Sequence, residues 1–408
     1  MKTKAAKLFS CCKYELIIFA VLLIQAVSNL FTFGGVGEYT SIYYLSDYSI
    51  GINTRLLVGS IVGLINDSPT IEWITGFAIV VLVLTLLAVA FLTGKVIRNT
   101  DDEMRPQLYV IIAFMLSGSF TFSFFSIFLG SLDIYTFIVA MIAVVCSLSK
   151  KTRWLVPILC VVGVLTHNIF AVSYFPMVFL VLFYLLLKED SKVYSAAVLV
   201  VSLVATVAIT VNFMLYAGKN MNISFEEFCK IINEKSSIKI DEYGFYGIGF
   251  HLFSIVGDDV VEGFTIGEQF NLTLVELIKG LVQYISYSMS LENALPILVV
   301  YVLIYGALIF IWAKCAKNSE TKMKKLSYIA FMLAPLTALI GFVVTTDYVR
   351  WVQAAVLSQF AFALVMYIKK DEAFFKTMQQ MREYFGNKKL ILVVIYIIYA
   401  FTTKRTIV

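Results

Sequence analysis

Charge is what this chain has least of. Asp, Glu, Lys and Arg make up 14% of its 408 residues, against about 25% in an ordinary soluble domain. That shortage excludes a water-soluble globular protein, and no nucleic-acid partner is expected. Histidine is nearly missing too, with only His167 and His251. The six cysteines form no disulfide framework: five fall in apolar runs or beside the basic connections, and Cys229 stands without a mate. A "GDD" run at 257–259 looks like a metal-binding stretch. Beyond His251, nothing at ligand spacing accompanies Asp258 and Asp259, so no metal and no cofactor are expected. There is also no internal repeat, which weakens a transporter built from inverted halves.

What the chain has is apolar sequence. Its residues are 60% hydrophobic, with a mean hydropathy of +0.87. Runs near 20 residues recur from end to end, each long enough for ~30 Å of hydrocarbon. The expected fold is all-α, a polytopic transmembrane bundle of about 11 spans within a single membrane domain covering 1–408. The spans fall at about 14–34, 71–97, 107–129, 131–149, 154–166, 168–187, 194–217, 291–313, 327–345, 351–368 and 389–403. The first run lacks a small-residue cleavage site and reads as retained. The 154–187 stretch reads as a bent pair with "THNIF" at its vertex.

Lys and Arg set the orientation. Placing the N-terminus in the cytoplasm puts "SKKTR", "KEDSK", the 95–105 turn, the 314–325 turn and the 369–389 segment on one side, all of them rich in cations. The other side is acidic. It carries two long segments, 34–70 and 218–290, in which interfacial helices are expected. On the inner side, 371–388 reads as a basic amphipathic helix suited to anionic lipid.

Ionisable groups near the outer span ends are few, and each has a bland reading beside a functional one. Asp133 starts a span, where it serves either as a cap or as a cavity-lining carboxylate. His167 sits at the vertex of the bent pair. Asp47 and Arg55 bracket "YSIGIN" and, taken singly, read as solvated surface groups. Asp347, Arg350 and Trp351 form "DYVRW", either a turn with a belt aromatic or the lip of a site. Guanidinium forks suit phosphate or pyrophosphate, and a carboxylate or His suits deprotonation of a hydroxyl. Aromatics such as Tyr39, Tyr43, Tyr44, Tyr48, Phe245 and Tyr246 suit sugar rings.

Three stretches carry a resemblance: "SDYSIGINTRLLVGSIVGLI", "LDIYTFIVAMIAVVCSLSKKTRWLVPILCVVGVLTHNIFAVSYFP" and "DYVRW". The layout resembles bacterial polytopic proteins of cell-envelope polysaccharide synthesis, namely EpsG-like and Wzy-type polymerases and GT-C-like glycosyltransferases. It departs from them where EpsG-like chains carry an Arg near Asp133. The resemblance implies a GT-C-like fold in the bacterial cytoplasmic membrane, with an outward-facing site. It also implies glycosyl transfer from a polyprenyl (pyro)phosphate donor to a glycan acceptor, alongside other envelope-assembly proteins. Asp47 would then be the base, Arg55 and Arg350 with Asp347 and Trp351 the phosphate side, and Asp133 and His167 the acceptor side or second base.

Two rivals predict different features. A flippase or solute carrier needs polar groups along both leaflets, and the inner halves of the spans mostly lack them. An O-acyltransferase needs a matching inner-face site. Sequons begin at Asn66, Asn222 and Asn271, all on the acidic side.

Overall fold

The computed structural model describes residues 2–118, 120–188, 192–216, 218–240, 245, 306–337, 348–386 and 388–405. Among these the fold is all-helical; the one extended pairing is an isolated antiparallel bridge between Gly51 and Met221. Four helical stretches are long and apolar enough to cross a membrane: Cys12–Phe33, Ile71–Asn99, Lys192–Phe213 and Val349–Ile368. They make this a membrane protein.

Three of these lie in the helices α1 (Lys2–Phe33), α4 (Ile71–Asn99) and α11 (Lys192–Tyr216). Between α1 and α4 run two short helices, α2 (Glu38–Leu45) and α3 (Leu57–Gly63). The apolar helices α5 (Arg105–Ser117), α7 (Leu132–Ser147), α8 (Val156–Thr166) and α10 (Phe175–Lys188) are shorter, with the brief α6 (Ser123–Ile127) and α9 (Phe170–Ser173) between them. Sixteen residues of helix rise only ~24 Å. Each of these covers less than a full bilayer alone, so the expected count of eleven does not follow from helix length.

The 107–129 stretch is not one crossing. α5 stops at Ser117, and Gly118 turns extended (ψ 139°) before α6 begins. The hydroxyl of Tyr399 occupies the space a Cβ on Gly118 would need. The Ser117 hydroxyl also donates back to Ala113 O at 2.8 Å, a contact that loosens the last helical turn. The 154–187 stretch breaks where α8 meets His167, whose backbone is extended (φ −163°, ψ 125°).

α8 and α10 each pack on both α7 and α11. The last long helix, α14 (Tyr348–Ile368), follows α12 (Phe225–Lys235) and α13 (Lys322–Leu333) in the chain. It runs through the middle, against α4, α5, α9 and α10, and is the most buried of the four membrane-length helices. Its polar side chains find partners inside. Gln353 Nε2 donates to Thr121 O at 3.2 Å, and Gln359 Nε2 to Phe331 O at 3.0 Å.

One end of the bundle is tied by α15 (Glu372–Gly386). Its apolar face does not lie open for lipid, because Ala373, Phe374 and Met378 are buried. Asp371, just before it, is buried and accepts from Tyr184 Oη at 2.8 Å, Phe374 N at 3.0 Å and Tyr328 Oη. Neighbouring lysines extend the tie: Lys369 Nζ reaches Leu148 O at 3.2 Å, and Lys370 reaches Asp101 at the same distance. α16 (Lys389–Arg405) follows and packs on α5 and α15.

Candidate functional site

The opposite end is organised by the segment joining α1 to α4. A helix leaves its last four carbonyls without intrahelical partners. In α8 two of these are taken by the turn before α3. Thr54 Oγ1 donates to Val164 O at 3.0 Å, and Arg55 N to Leu165 O at 2.9 Å. Reaching that position puts Arg55 in the left-handed region (φ 71°), which is costly for a residue with a Cβ. The segment 53–55 is thereby fixed two residues from His167.

The Arg55 side chain is buried (3% exposed). Nη1 donates to Tyr43 Oη at 3.1 Å, and the guanidinium lies over the same ring, 5.8 Å from its centroid. Its Nε has no hydrogen-bond partner, and no carboxylate pairs with it among the described residues. Tyr43 Oη in turn donates to Tyr39 Oη at 2.6 Å. Burial pushes the Tyr43 phenol up, against the opposing pull of Arg55 and Arg350. The phenol therefore stays neutral beside the Arg55 guanidinium.

Arg350 lies in the first turn of α14, where the helix dipole disfavours a cation. Asp133 lies in the first turn of α7, where the dipole favours an anion, and is itself buried. The two meet with Arg350 Nε 3.0 Å from Asp133 Oδ2. The start of α7 is positioned by Gly130 (φ 83°), which carries no Cβ to collide with Val36. Tyr44 Oη donates to Gly130 O at 2.9 Å, tying α2 to this turn.

His167 is buried (4% exposed) and its Nδ1 accepts from Ile169 N at 3.1 Å. The same Nδ1 also lies 3.0 Å from Asn168 Oδ1. Trp351 is buried against Ile169 and Val172, so it is a packing residue of the bent pair and not an exposed belt aromatic. Beneath it a narrow cleft, with room for about one water, is lined by Ser173, Pro176, Pro335, Ser358 and Gln359.

Asp47 goes elsewhere. It caps the 3-10 turn Tyr48–Ile50, accepting from Ser49 N at 2.8 Å and from Ser49 Oγ. Its second oxygen pairs with Lys235 Nζ of α12 at 2.8 Å. Partial burial alone would raise its pKa, but the bonds from Lys235 and Ser49 outweigh that and hold it below the usual carboxylate value. Neither Asp47 nor Arg55 is the ordinary solvated surface group that its bland reading makes it.

The fold thus gathers Arg55, Asp133, His167, Arg350 and Trp351 at one end and turns Asp47 toward α12. Asp347, His251, Asp258, Asp259, Tyr246 and Asn271 lie outside the described residues. From the sequence Tyr43 reads only as an aromatic suited to sugar rings, and Lys235 does not stand out. The i, i+4 spacing of Tyr39 and Tyr43 was the available signal for the first; for Lys235 there was none. No group of three or more potential metal ligands occurs among the described residues. No protein-family model, curated protein or solved structure matches this chain.

Proposed function

We propose that the chain is a membrane glycosyltransferase or polysaccharide polymerase. In this reading it moves sugar units from a polyprenyl (pyro)phosphate donor to an acceptor hydroxyl on the outer face of the bacterial cytoplasmic membrane. One observation carries the reading. Arg55 is a buried cation whose Nε has no hydrogen-bond partner and which no carboxylate pairs among the described residues. A buried charge without a counterion is expensive, and a phosphate anion supplies one.

The acceptor oxygen attacks the anomeric carbon as the bond from that carbon to the phosphate oxygen breaks. Arg55 and Arg350 stabilise the departing (pyro)phosphate, the larger electrostatic share of such a reaction. Asp133 takes the acceptor proton as phosphate draws Arg350 away from it. His167, buried at the vertex of the bent pair, orients the acceptor. Asp47, whose carboxylate is held by Lys235, keeps α12 in place. A GT-C-like architecture belongs to this proposal, as do the N-terminus in the cytoplasm and the further partners of envelope assembly.

A carrier is less well supported. It would have to open the opposite end, where Asp371 and its neighbours tie together α7, α10, α13, α15 and the turn before α5. The test is transfer by the purified chain in proteoliposomes, supplied with the polyprenyl-pyrophosphate-linked glycans extracted from the source membranes. Arg55→Ala and Arg350→Ala should each lower turnover by about 10²-fold or more, as loss of an oxyanion donor does. No transfer by the parent chain would sink the reading, and turnover unchanged in both variants would remove the two arginines from the reaction.

A further inference from the structure

The helix that follows Arg55 is apolar on both faces. Val58 and Val62 of α3 are buried, and α3 packs on α2 and α8. On its other side Ile61 is 48% exposed, and Leu64 and Ile65, just past its end, are 88% and 63% exposed. In water such a face is a liability; a short helix that is apolar all round belongs in a protein core or in lipid. The exposed side chains begin six residues from Arg55, whose buried guanidinium keeps an unpartnered Nε.

We infer that α3 is a lateral entry edge. The hydrocarbon chain of a lipid phosphate lies along Ile61, Leu64 and Ile65 while its phosphate reaches Arg55 from within the bilayer. This inference rests on the proposed phosphate role of Arg55 and adds where the lipid lies and how it arrives. Tyr43 is the positioning residue of this edge. A neutral acceptor holds Nη1 in place without neutralising the guanidinium, so the charge stays available to the ligand. A carboxylate in its place would fill the site with an internal counterion.

The occupant is a lipid, not free phosphate, because the exposed apolar side chains that follow the cation in the chain have no use for a soluble anion. Entry along α3 also needs no path through the opposite end, which the Asp371 network closes.

The probe is a long-chain isoprenyl monophosphate bearing a diazirine in its chain, added to the full chain in phosphatidylcholine nanodiscs. Labelled residues are mapped by mass spectrometry. Labelling should fall on Ile61, Leu64 and Ile65. Unlabelled isoprenyl phosphate should compete, and isoprenol and inorganic phosphate should not. In Arg55→Ala, and in Tyr43→Phe to a smaller extent, labelling should drop about tenfold, as for loss of one charge-assisted hydrogen bond. Labelling that isoprenol competes away equally, or that ignores Arg55, would show apolar adhesion and overturn the inference. So would labelling confined to other helices.

The outcome separates from that of the transfer assay. Arg55-dependent labelling of α3 with normal glycan transfer in Arg55→Ala would keep the lipid edge and remove Arg55 from the transfer step. Lost transfer without α3 labelling would do the reverse.

Discussion

Arg350 Nε and Asp133 Oδ2 lie 3.0 Å apart and join the first turns of α14 and α7. Each residue suits or offends its own helix dipole in the opposite sense, so the pair relieves at Asp133 what is unfavourable at Arg350. The same contact links a central helix to the turn that Tyr44 holds. It is a structural joint and a chemical one.

Breaking the joint should therefore destabilise as well as inactivate. Asp133→Asn leaves Arg350 at a helix N-terminus with a weaker acceptor, at a cost of about 2–3 kcal/mol given that Arg350 is partly solvated. Thermal unfolding in detergent, with Arg350→Gln and the double variant, gives the cycle. A coupling near zero would show that the two charges are independent.

Arg55 separates stability from function. Glycine adopts φ 71° freely, and Arg55→Gly also removes a buried cation. The thermal midpoint should equal or exceed that of the parent, while phosphate-dependent activity is lost. A large fall in the midpoint would mean that Arg55 is structural.

The pH response of α12 follows from Asp47. Its folded pKa is depressed, so the stability it contributes is present above the ordinary carboxylate value, about 3.9. That stability is lost as pH falls from there through the lower folded value. The groups are partly solvated, which limits the effect to about 1 kcal/mol or less. Hydrogen exchange of the α12 amides should quicken below about pH 4 in the parent. In Lys235→Met it should be faster throughout and less sensitive to acid. Identical profiles would contradict the pairing.

At the opposite end, Asp371→Ala strands the hydroxyls of Tyr184 and Tyr328 and removes the cap of α15. The expected loss is about 2–4 kcal/mol, with α15 exchanging its amides early. If the opposite end must open for transport, the same variant should speed it; in the enzyme account, transfer at the other end persists in the folded fraction.

Composition and hydropathy made the membrane class legible, because nothing else explains so little charge. The break at His167 was legible too, since "THNIF" interrupts an apolar stretch. The split of 107–129 was not. Gly118 reads as a tolerated helix glycine until Tyr399, nearly 300 residues away, takes its Cβ space. The convergence of Arg55, Asp133 and Arg350 was visible only as a common side of the membrane. That Asp47 belongs to Lys235 was invisible, because a pairing across 188 residues leaves no local pattern. The amphipathic 371–388 segment has the right periodicity, but periodicity does not say whether protein or lipid covers the apolar face.

The most direct test is made in the organism that carries the chain. Arg350→Ala and Arg350→Lys are compared for surface polysaccharide by chain length, and for lipid-linked units in the membrane, at equal protein abundance. The account predicts short or absent polysaccharide in both variants, with lipid-linked single units accumulating, because an ammonium does not replace a guanidinium fork on pyrophosphate. Wild-type chain lengths from both would contradict it and leave Arg350 as no more than the partner that steadies Asp133.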